Sequence, residues 1–155
     1  MPAERLRLPH IRPFSRHPIV FLTVVADGRR PLLASQVVRD ALINIWSRSP
    51  AIDGWFVGRY MLMPDHVHLF ARADLEAKPL ADWTGTWKSL SSRIISPALQ
   101  ASPPFWQRDY FDRFLRSSDD YKEKWRYVEM NPVRKGLCAQ PADWPWQGEL
   151  FELRN

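Results

Sequence analysis

Cysteine is nearly absent from this sequence: of 155 residues, only Cys138 carries a thiol. A single cysteine excludes an internal disulfide framework and any cysteine-based zinc site. Long hydrophobic runs are missing too. The longest, residues 19–26, is interrupted at Thr23 and falls far short of the roughly 20 apolar residues that cross a bilayer. The first 18 residues are basic and proline-studded, with no apolar segment behind them to act as an export signal, so the expected compartment is the cytoplasm. Internal repeats and low-complexity tracts are also lacking.

What is present suits one core. Hydrophobic residues make up 45% of the chain, including 8 Trp and 8 Phe, which supplies a single domain and not two. The expected organisation is a basic arm over residues 1–18, one domain over 19–147 and a tail over 148–155. The net charge of +5 is unevenly spread, with Arg5, Arg7, Arg12 and Arg16 facing only Glu4 in the arm. Such an arm can lie along phosphates and release counterions. It can equally be a solvated tail, and charge alone leaves both open.

Residues 19–26 are β-branched and apolar and end at Asp27-Gly28, which predicts a buried strand and a turn. Ser35 can cap a helix through about residue 47, with Pro50 and Gly54 bracketing a loop. Residues 55–63 and 66–73 predict a hairpin around Pro64-Asp65. Leu80, Trp83, Trp87, Leu90 and Ile94 recur at helical spacing, with Pro97 as the expected stop. Residues 105–115 alternate as a strand, and residues 118–129 form a last helix closed by Asn131-Pro132. The order β-α-β-β-α-β-α predicts an α+β fold of the ferredoxin-like split βαβ type. Its four-stranded antiparallel sheet would carry helices on one face, with a further C-terminal helix that bears Tyr127.

Two small patterns carry chemistry. Side chains two apart on a strand share a face, so His66 and His68 present adjacent imidazoles while Val67 turns to the core. Neutral imidazoles bind borderline divalent metals; a bare His-x-His also fits an exposed pair on a strand. Tyr127 and Asn131 are four apart and share a helix face if the helix reaches that far. A phenol oxygen can attack phosphorus once deprotonated, and a nearby divalent ion assists by withdrawing charge. By itself, Tyr127 is as well read as a core aromatic and Asn131 as a pre-proline helix terminator. Trp83 and Trp87 are expected in the core. Phe105, Trp106, Tyr110 and Phe111 read first as strand core, with base stacking open to any that are exposed.

Together, His66-Val67-His68 and the later string Tyr127-Val128-Glu129-Met130-Asn131-Pro132-Val133-Arg134 resemble the REP-associated tyrosine transposases, single-tyrosine members of the HUH superfamily. The likeness spans roughly residues 17–147. It includes Met63-Pro64-Asp65, Trp87-Lys88-Ser89, the segment from Phe105 to Arg113, and Asp143-Trp144-Pro145. The resemblance implies a metal-dependent nuclease and strand transferase acting on single-stranded, hairpin-forming DNA, typically palindromic repeats, and a nucleoid-associated location. His66 and His68 match the metal pair for Mg²⁺ or Mn²⁺, Asn131 a third polar ligand, and Tyr127 the nucleophile that forms a 5′-phosphotyrosine. The residues expected to contact DNA are Arg5, Arg7, Arg12, Arg16, Lys88, Arg93, Arg108, Arg134 and Lys135. Monomer and homodimer both fit. The alternatives are a catalytically silent DNA- or RNA-hairpin-binding module of the same fold, and a metal-dependent hydrolase with water as nucleophile. The last is weakened because no carboxylate stands at a recognisable spacing from the histidines.

Overall fold

The computed structural model describes residues 17–153, so Arg5, Arg7, Arg12 and Arg16 of the expected arm lie outside the described residues. The chain opens with strand β1 (Val20–Val25), followed by a single 3-10 turn at Asp27–Arg29. Helix α1 (Gln36–Ile52) leads into the hairpin of β2 (Trp55–Leu62) and β3 (His66–Ala73). Helix α2 (Leu80–Leu99), strand β4 (Phe111–Phe114) and helix α3 (Ser118–Glu129) come next. A one-turn helix α4 (Asn131–Arg134) and strand β5 (Gln147–Glu149) close the fold.

The strands form one antiparallel sheet in the order β4-β1-β3-β2-β5. The first four positions have the split βαβ arrangement that the element order predicts. The fifth strand corrects the expected four. What was expected to be a tail instead pairs with β2 and so covers its edge. Gly148 permits this approach, since a Cβ there would stand 2.7 Å from Oη of Tyr60. Further on, Leu153 is buried against the sheet.

Both sheet faces are covered, which explains why β1 is apolar almost throughout instead of alternating. On one face α1 and α2 pack Val38, Leu42, Trp46, Trp83 and Trp87 against Leu22, Val24, Val67 and Leu69. On the other, α3 packs Trp125 and Val128 against Phe21, Met61 and Phe70. No helix among the described residues is long and apolar enough to cross a membrane.

Two prolines fail to stop their helices. Pro50 lies inside α1 and Pro97 inside α2. Both stand in the last turn, so each removes a backbone hydrogen bond only at the end of its helix, and the indole of Trp83 donates to Oγ of Ser49 at 2.9 Å, tying the end of α1 to α2. The inner stripe of α2 also differs from expectation. Trp83 and Trp87 are buried as predicted, but Leu90 and Ile94 are exposed while Ser91 and Ile95 point inward. Ser91 is small enough to admit Trp106, whose indole N–H it accepts at 2.9 Å. That insertion shortens the strand expected over 105–115 to its last part: Phe105 and Trp106 are drawn into the core, with Trp106 bridging Ala26. Finally, Asn131-Pro132 does not simply end α3. The chain turns at Met130, and proline, whose fixed φ suits a first helical turn, helps open α4.

Candidate active site

The antiparallel register of β1, β2 and β3 builds the centre of the site. Val67 and Leu69 face α1 and α2, so His66, His68 and Phe70 face α3. The imidazoles of His66 and His68 meet edge to face with centroids 4.7 Å apart. Thr23 stands directly across from His68, and its Oγ1 lies 2.9 Å from Nδ1 of that ring. Nδ1 of His66 lies 2.8 Å from Oδ1 of Asp65. A carboxylate only accepts, so this nitrogen is the donor, and Nε2 is the nitrogen left to face a metal. Arg29 donates from Nε to the other oxygen of Asp65 at 3.0 Å.

Electrostatics keep these groups in defined states. Burial pushes the His68 pKa down to about 3, helped by the charges of His66, Lys124 and Arg134. His68 is therefore neutral near pH 7, the state in which an imidazole binds metal. Burial acts to raise the Asp65 carboxyl, but its hydrogen bond and charge contact with His66, with Arg29 behind them, outweigh that and hold it below its ordinary value. Among the described residues, no three His, Cys, Asp or Glu side chains converge as a closed metal cage. What the protein offers is a pair of imidazoles backed by Asp65 and Thr23, a donor set suited to a divalent ion whose other positions are taken by oxygen.

A contact path joins this pair to Tyr127. Phe21 stacks on His68 with centroids 5.1 Å apart. Lys124, one helical turn before Tyr127, holds Nζ 4.8 Å from the Phe21 centroid and 5.2 Å from that of Tyr127. Tyr127 is no core aromatic: it is 59% exposed, while Trp125 and Val128 seat α3 on the sheet. Arg134 returns from α4 so that its guanidinium lies 4.1 Å from the Tyr127 centroid. Its Nη2 donates to the backbone oxygen of Tyr127 at 2.7 Å and to Oδ1 of Asn131. An exposed phenol is thus held among cations and linked through Lys124 and Phe21 to the imidazole pair, an arrangement suited to attack on a phosphodiester.

The profile of the IS200-like transposases matches residues 18–131. The chain belongs to that family. It is 25% identical over 130 residues to the REP-associated tyrosine transposase of Escherichia coli (strain K12), covering 81% of this chain and 73% of that protein. In fold it is similar to a REP-associated tyrosine transposase solved bound to a REP hairpin, with TM-score 0.68, 21% identity and coverage of 94% of this chain and 82% of that one. It is also similar to a crystal structure of a candidate transposase from Deinococcus radiodurans R1, with TM-score 0.55, 20% identity and coverage of 82% and 96%.

In this IS200-like transposase the other residues expected at the site disperse. Lys88 and Arg93 lie on α2, which packs on the sheet face away from the histidines. Lys88 donates to the backbone oxygen of Arg108 at 2.8 Å, joining those two on the helical side. Arg134 is used within the protein, on Tyr127 and Asn131, and exposed Lys135 caps α4. Sequence reasoning missed Phe21, Thr23 and Arg29, and gave Lys124 no particular role. Thr23 alone left a trace, as the polar interruption in an apolar strand; the others are neighbours only through the sheet register and the packing of α3.

Proposed function

We propose that this transposase is a metal-dependent single-strand DNA endonuclease and strand transferase acting on hairpin, REP-like DNA, with Tyr127 as nucleophile. The observation that carries the reading is the unbroken path from His68 through Phe21 and Lys124 to exposed Tyr127. The hairpin substrate class is supported by the names of the relatives, one a REP-associated transposase and one solved on a REP hairpin.

His66 and His68 would hold Mg²⁺ or Mn²⁺, and the ion when bound would supply positive charge to the non-bridging oxygens of the scissile phosphate. Asp65 and Thr23 orient the two rings. Tyr127 loses its proton and its Oη attacks phosphorus in line. The Oη–P bond forms, the bond from phosphorus to the 3′ oxygen breaks, and that oxygen takes a proton. A 5′-phosphotyrosine and a free 3′-hydroxyl result. A second 3′-hydroxyl can reverse the step and join strands without ATP, because the ester is conserved. Lys124 and Arg134 favour anionic charge beside the phenol.

The test is incubation with labelled single-stranded hairpin DNA and Mn²⁺, scoring a protein–DNA band that survives denaturation. The band is expected in the wild type and absent in Tyr127→Phe and His66→Ala. Retained hairpin binding with no band on any hairpin would favour a silent binding module. Cleavage that persists in Tyr127→Phe would assign the attack to water.

A further inference from the structure

The edge strand β4 carries two exposed phenylalanines, and the sheet register separates them. Phe111 stands opposite Thr23, which itself stands opposite His68. Directly opposed residues project to the same face, so Phe111 shares the cross-strand row of the histidine pair, on the side where α3 bears Tyr127. It is 68% exposed. Phe114 stands opposite Val20, a core residue under α1 and α2, and so projects to the other face. Neighbouring strands are about 4.8 Å apart, which sets the Phe111 backbone about 10 Å from that of His68, within the reach of one or two nucleotides.

One cation neighbours this ring on β4 and another neighbours the phenol on α3. Arg113 stands opposite Phe21, on the same face as Phe111. Arg113 and Lys124 line one cleft between β4 and α3, together with Leu115, Asp120, Glu123 and Tyr127. Among the described residues, neither cation is in an ion pair. Of the acids that share the cleft, Asp120 accepts from the backbone N–H of Arg116 at 3.0 Å. Burial, and after it the charge of Arg113, pulls the Lys124 pKa down. Arg113 and Lys124 are thus like charges held near each other in a cleft that Asp120 and Glu123 also line, and a phosphate there can accept from both cations.

We propose that Phe111, Arg113 and Lys124 form a subsite for one unpaired nucleotide of the DNA strand, its base stacked on Phe111 and its phosphate held by the two cations. An exposed aromatic ring beside a cationic groove is how single strands are gripped without sequence readout. The subsite rests on the proposed DNA chemistry at Tyr127 and extends it, because it requires a single-stranded tail at the hairpin and fixes the path of that tail over the β4 edge.

The experiment compares a blunt hairpin with the same hairpin carrying a short unpaired tail, on its 5′ or 3′ side, with 2-aminopurine at successive tail positions. Binding is measured in chelator on the full chain, so that no cleavage is needed. The wild type is expected to bind one tailed hairpin more tightly than the blunt one, with one 2-aminopurine position strongly quenched. Phe111→Ala should weaken tailed binding on the order of tenfold and abolish that quenching while blunt binding is unchanged; Phe111→Trp should restore both. Arg113→Gln should weaken tailed binding and reduce its salt dependence. Phe114→Ala should match the wild type. Unchanged tailed binding in Phe111→Ala, or equal loss on blunt and tailed hairpins, overturns the subsite. The covalent band is scored in parallel with Mn²⁺. A band with no Phe111 effect leaves the nuclease reading standing and removes the subsite. A Phe111 effect with no band does the reverse, and no binding to any hairpin removes both.

Discussion

The guanidinium of Arg134 lies across the ring of Tyr127, 4.1 Å from its centroid, while its Nη2 donates to the backbone oxygen of the same tyrosine. One planar side chain thus fixes both the ring and the end of the helix that presents it. Arg134→Ala is expected to slow covalent adduct formation on the order of 100-fold under single-turnover conditions, with hairpin affinity changing much less. Arg134→Lys should not rescue, because an ammonium can neither stack flat nor keep the forked donors. A loss that appears entirely in affinity would mean that Arg134 contacts DNA instead.

Asp65 is the acceptor that directs Nδ1 of His66, at 2.8 Å. Asp65→Asn removes the charge and lets the ring choose either tautomer. Mn²⁺ affinity, measured by calorimetry on the apo protein, should fall about 10- to 100-fold. An unchanged affinity would separate Asp65 from the metal chemistry. Chelation of the wild type should abolish the covalent band and leave folding intact.

His68 gives the folded protein a pH signature. Its pKa lies at about 3, against an ordinary value of 6.5. Between those values the unfolded chain takes up a proton that the folded chain refuses, so stability falls as pH drops below about 6.5 and is unaffected above it. Thermal melts in chelator from about pH 7 to about pH 4.5 should show a steeper loss for the wild type than for His68→Asn. Parallel curves would show that His68 is not held neutral.

Gly58 makes room for the last described residues. A Cβ at this position would stand 2.6 Å from Cδ1 of Leu153 and 3.0 Å from Oη of Tyr121. Gly58→Ala should therefore destabilise the fold by about 1–3 kcal/mol through overpacking. Adding Leu153→Ala should recover part of that loss, because the two changes share one space. Additive losses in denaturant melts would place the strain elsewhere.

The family was legible in the sequence because its two motifs are local. His66 and His68 share a face by the period of a strand, and Tyr127 sits on a helix whose apolar residues fix its orientation. The strands and helices were legible for the same reason, since hydrophobic periodicity acts over a few residues. The errors fall where a distant group overrode a local rule. Trp106 entering beside Ser91 shortened the fourth strand, the bond from Trp83 to Ser49 held a helix past its proline, and Gly148 admitted a fifth strand against Tyr60.

The site divides in the same way. Short segments of the chain hold the chemistry available: two imidazoles on one strand face, a phenol on a helix, and no cysteine cage. The packing of the folded chain sets what surrounds them. It set Thr23 against His68, Phe21 and Lys124 between imidazole and phenol, and Arg134 over Tyr127, and it sent Lys88, Arg93 and Arg108 to the far face. The reason is physical. Which residues are neighbours across a sheet depends on register, and register follows from the burial of two whole faces, a property of the folded chain that no short segment contains.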